Sequence, residues 1–128
     1  MLAKHIAVGN EISLALLQTE SRHFATDAER RLARRAVYED AESKHQLQSL
    51  REATVCHQIS ELVANRPRML RLFDYVELKA MCRLRVSPTL ADQLTAAKRR
   101  NPSFGLLEIL ALAHQADQRY GWGSDSER

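Results

Sequence analysis

Leu78-Lys79-Ala80-Met81-Cys82-Arg83-Leu84-Arg85-Val86-Ser87-Pro88-Thr89-Leu90-Ala91-Asp92-Gln93-Leu94 is the stretch from which the fold of this chain is read. One helix ends inside it, a tight turn follows, and a second helix begins. The Ser87 hydroxyl can accept from the free amides of the new helix, and Pro88, with no N–H and a φ already helical, suits the first helical position. Leu84, Val86 and Leu94 fall where the apolar packing positions of a helix-turn-helix belong. Arg85 stands where glycine is common, and Met81 where a small residue usually packs.

Charge concentrates around this turn. Between Arg66 and Arg100 there are nine Lys or Arg against three Asp or Glu, whereas Met1 to Asn65 has eight against nine, and Asn101 onward two against four. A positive field so placed is the footprint of a phosphate-binding surface, or else a solvated basic face that balances an acidic partner. If the turn presents its second helix to a groove, Thr89 and Gln93 lie near base edges. Arg83, Arg85, Lys98, Arg99 and Arg100 then supply the cations. Asp92 opposes close approach to a phosphate backbone.

Outward from the turn the pattern stays helical. The chain has 128 residues, 45 % of them hydrophobic but only 5 % aromatic, which suits one ordinary core built from helices. The expectation is an all-α bundle of four to six helices, one domain over residues 1–122 and a disordered tail at 123–128. Thr26-Asp27-Ala28-Glu29 is a capping box that starts a helix. Leu32, Ala33, Ala36 and Val37 then share a face to which Leu47, Leu50 and Thr54 return, predicting one long central helix from Asp27 to Asn65. Leu32, Ala36, Leu47 and Leu50 would form the seam of a homodimer. Pro67 is expected to open a helix reaching about Arg85, and Gly121 to cap the last one. No segment approaches the ~20 apolar residues that span a bilayer, so no membrane partner and a cytoplasmic location are expected.

Candidate chemistry is sparse. Glu42 and His45 have Glu-x-x-His spacing, but Glu108 is followed three residues later by Ala111, so the second half of a di-iron constellation is missing. His57 and Glu61 read as a surface pair. Cys56 and Cys82 lie in helical patterns and read as buried thiols, with a link between them left open. No phosphate loop, nucleophile elbow or Cys-x-x-Cys occurs. The expectation is a protein that is not an enzyme and carries no metal or cofactor.

The run Ala80-Met81-Cys82-Arg83-Leu84-Arg85-Val86, then Leu90-Ala91 and Leu94, resembles the D subunit of the bacterial flagellar master transcription activator. That family shows a small-Met-x-Arg-Leu-Gly-Ile stretch followed by an apolar residue, Ala and, three residues later, Leu. A leucine-rich helix after a Pro follows, as from Pro102 to Gln115 here. The likeness covers about residues 66–115 and implies an α-helical homodimer that joins a second, zinc-containing subunit to activate promoters. Arg85 replaces the family's Gly, Lys98 to Asn101 look like an insertion, and the first sixty-odd residues have no counterpart. The expected function is therefore DNA binding or transcription activation through a basic helix-turn-helix-like segment. The alternative is a helical adaptor or chaperone-like protein that binds no nucleic acid.

Overall fold

The computed structural model describes residues 2–120, which form seven helices and no strand: α1 (Leu2–Glu20), α2 (Asp27–Lys44), α3 (Leu50–Val63), α4 (Met69–Leu72), α5 (Tyr75–Arg83), α6 (Pro88–Arg100) and α7 (Leu106–Tyr120). The all-α class is as expected. The cap at Gly121 and the tail at 123–128 lie outside the described residues. Two compact units divide at Asn65 and Arg66, where a single domain over 1–122 was expected. The asparagine-proline stop and the change in charge density fall at the same place.

In the first unit α1, α2 and α3 pack around Val8, Ile12, Leu16, Ala41, Ala53 and Cys56, with Val37, Tyr38 and Leu47 against them. α1 opens at Leu2, and its residues His5, Val8, Ile12, Leu16 and Thr19 recur on one buried face. Gly9 sets the approach of α1 to α3: a Cβ there would sit 2.7 Å from the Ser60 Cβ and run into the Cys56 carbonyl oxygen. Only a residue without a side chain lets the two backbones come this close.

The long central helix does not form. α2 ends at Lys44, and Gln46 takes the left-handed conformation with φ 54°. The Leu47 N–H donates to the Glu42 carbonyl and the Gln46 N–H to the Ser43 carbonyl, the paired bonds of a Schellman stop. α3 then opens on its own cap. The Ser49 hydroxyl accepts from the Glu52 N–H at 3.2 Å, and the Glu52 carboxylate accepts from the Gln48 N–H at 2.7 Å. Ser-Leu-Arg-Glu has capping-box spacing in the sequence itself, at a point where the apolar stripe continues across the break. At Thr26 the anticipated cap is present, the hydroxyl accepting from the Glu29 N–H at 3.1 Å, while the Glu29 carboxylate accepts from the Ala25 N–H at 3.2 Å in place of the N-cap amide of a full capping box.

A similar interruption divides the helix expected from Pro67 to Arg85. α4 stops after Leu72, and Asp74 starts α5 with both reciprocal bonds of a capping box to Glu77, each 2.9 Å. Met69, Phe73, Leu78, Met81, Leu90, Ala91, Leu94, Ile109 and Ala113 are buried in this second unit. In it α6 packs on α4, and both α5 and α6 pack on α7.

Candidate nucleic-acid interface

The turn between α5 and α6 has the construction its sequence promised, with one addition. The Val86 N–H donates to the Met81 carbonyl and the Arg85 N–H to the Cys82 carbonyl, both at 3.1 Å, again a Schellman stop. Arg85 occupies its left-handed position at φ 54°. The site where a helix-turn-helix commonly carries glycine thus has the backbone that glycine would favour, adopted by an arginine. Two residues on, the Ser87 hydroxyl accepts from the Leu90 N–H at 3.1 Å and Pro88 opens α6.

α6 turns Leu90, Ala91 and Leu94 into the unit and leaves Thr89, Gln93, Ala96 and Arg100 exposed. At 100° per residue these four fall within a narrow stripe along the outer face. Arg83 and Arg85 are exposed at the start of α6, and Arg99 and Arg100 at its end. The cations therefore bracket Thr89 and Gln93 along roughly 17 Å of helix instead of forming one cluster. Asp92, expected to repel a phosphate backbone, is paired with Arg66 at 3.1 Å. That partner was not anticipated.

Lys98 does not stand with the other cations. Its side chain is only 14 % exposed, its ammonium lies 3.4 Å from the Glu77 carboxylate and 5.9 Å from the centre of the Phe73 ring, and it donates to the Phe104 carbonyl. Glu77 in turn holds the start of α5 through the Asp74 N–H, so this one buried carboxylate ties the first turn of α5 to the last turn of α6. Nothing in local spacing signals such a pair, because its members are 21 residues apart.

The four residues expected to make a dimer seam are also separated. Leu32 is 68 % exposed and Ala36 is exposed on α2, but Leu47 sits in the turn after α2 and packs on the first core, and Leu50 is half-buried in the opening turn of α3. The break at Gln46 is the reason: a stripe needs one continuous cylinder, and this one stops before it reaches Leu47.

Elsewhere in the first unit the Tyr38 hydroxyl meets His57 Nδ1 at 3.0 Å while His57 Nε2 faces Glu61 at 3.6 Å, and the Ser13 hydroxyl donates to Glu61 at 3.4 Å. Burial pushes the His57 pKa down and that of Tyr38 up. His45 Nε2 meets Glu11 at 3.1 Å, and with Lys44 it lowers the Glu11 pKa. Among the described residues no three His, Cys, Asp or Glu gather as metal ligands. Cys56 and Cys82 are both free, and burial pushes each thiol up to about 11, which keeps them protonated and poorly nucleophilic at neutral pH. No helix among the described residues is long and apolar enough to cross a membrane. Compared with protein-family models, curated proteins and solved structures, the chain has no significant match in any of the three.

Proposed function

We propose that the second unit binds duplex DNA, with α6 entering the major groove and the chain serving as a non-catalytic, DNA-binding subunit in transcription control. The observation that carries this reading is the α5–α6 turn, with Arg85 in the left-handed position and the outer face of α6 free for contact. A major groove about 12 Å wide admits such a helix, and the two pairs of arginines at its ends suit the phosphates on either side. Thr89 and Gln93 would meet base edges. The Arg66 partner removes the objection that Asp92 posed.

Mobility shifts over a range of salt concentrations test the proposal. Arg99→Ala with Arg100→Ala should weaken binding across unrelated sequences and flatten the log–log salt dependence by roughly two counterions. Gln93→Ala should instead relax preference among sequences. Identical salt slopes for wild type and the double variant would remove α6 from the phosphate contact. A homodimer is part of the same proposal, since paired half-sites are how such units gain affinity, and a second activator subunit would bind beside it.

The adaptor reading has its own support in the first unit. Leu14, Leu17 and Leu32 are 57 %, 69 % and 68 % exposed, which leaves apolar helix surface for a protein partner.

A further inference from the structure

Between α5 and α7 runs an open trough of about 580 Å³, within the second unit. Val76, Ala80 and Leu84 form its apolar side along α5, and Leu106 and Leu110 along α7. Val76 and Leu110 remain 55 % and 40 % exposed, and the adjoining Leu107 is 77 % exposed. This is contiguous apolar surface and not a scatter of single residues. Its shape follows α5 from Tyr75 to Leu84, roughly 14 Å of helix, with contributors one turn apart on both walls. Such a trough matches the i, i+3, i+4, i+7 anchors of a helix laid into a groove better than it matches a compact ligand.

Charge selects among possible helices. Lys79 and Arg83 line the same trough one turn apart on α5, and among the described residues that line it none carries a carboxylate. We propose that the trough docks an amphipathic helix of a partner protein whose apolar face is flanked by two carboxylates one turn apart. Opposite charges in that register attract, whereas a basic or neutral flank would leave two cations facing either repulsion or lost hydration. The inference shares Arg83 with the DNA-binding reading, whereas Val76, Lys79 and Leu110 take no part in that reading.

A displayed library of amphipathic peptides three to four turns long, with leucine fixed on the apolar face and the flanking positions randomised, is selected against the full-length chain. Enriched clones should carry Asp or Glu one turn apart. A purified clone should lose at least tenfold in affinity against Val76→Glu and against Leu110→Glu, both surface positions where the fold is checked by circular dichroism. The double reversal Lys79→Glu with Arg83→Glu should prefer the peptide with Lys in place of its acids. Enrichment of basic flanks, no enrichment at all, or clones indifferent to both glutamate variants would overturn the proposal. So would a wild-type dimer that Val76→Glu converts to monomer, since a second copy would then own the trough. Val76→Glu and Leu110→Glu distinguish the two readings, since neither residue belongs to the proposed DNA face and both should leave DNA binding intact while peptide binding is lost.

Discussion

Arg85 holds a conformation that costs an L-residue roughly 1–2 kcal/mol, and it does so on an exposed turn where its side chain makes no compensating burial. Glycine at this position should raise stability by about 0.5–1 kcal/mol after its larger unfolded-state entropy is counted. Urea midpoints of wild type, Arg85→Gly and Arg85→Ala check this: glycine gains and alanine does not. An arginine in a place that favours glycine fits a use for its charge, so Arg85→Gly should stabilise the turn while weakening the DNA binding proposed above. His57 makes a second residue-level statement. Burial, helped by Arg34, holds its pKa below the ordinary imidazole value, while Glu61 opposes the shift. The folded state thus binds a proton less readily than the unfolded chain. Its contribution to stability is present above the unfolded value near ~6.5 and is lost as pH falls through the lower folded value. His57→Gln should show a smaller fall in unfolding free energy between neutral and mildly acidic buffer than wild type.

At the scale of elements, the buried Glu77–Lys98 pair decides how α5 and α6 are held. Lys98→Ala leaves a carboxylate 7 % exposed without its ammonium, and removing one partner of such a pair costs about 3–5 kcal/mol when burial is complete, less here for the solvent that still reaches it. Arg99→Ala, one residue along on an exposed face, should stay within about 0.5 kcal/mol. Thermal melts of the two variants separate the structural cation from the surface one. Equal losses would mean that Lys98 is not engaged inside the unit. The contrast also explains why Lys98, Arg99 and Arg100 read alike in sequence. All three are basic residues in a last helical turn, and only the helix rotation against α4 and α7 selects which one points inward.

For the whole molecule, the test of association moves from the four-residue seam to Leu32. Because Leu47 packs on the first core, glutamate there would damage folding and report nothing about a dimer. Leu32→Glu adds charge to a side chain 68 % exposed, so the monomer should keep its helicity while self-association, followed by light scattering, is lost. A wild-type chain that is monomeric at high micromolar concentration would leave the first unit to another partner. What the sequence determined by itself is local: helical class, the Thr26 and Ser87 caps, the stop at Asn65 and the exposed face of α6. These depend on hydrogen bonds and periodicity within a few residues, and the Ser49 cap and the Asp74 capping box carry the same kind of local signal. Tertiary structure alone decided that Gly9 admits the Cys56 backbone, that Lys98 turns to Glu77, and that Asp92 meets Arg66. Each of these joins residues distant in sequence or depends on how helices rotate against one another, and the free energy that selects the rotation comes from burial shared among helices.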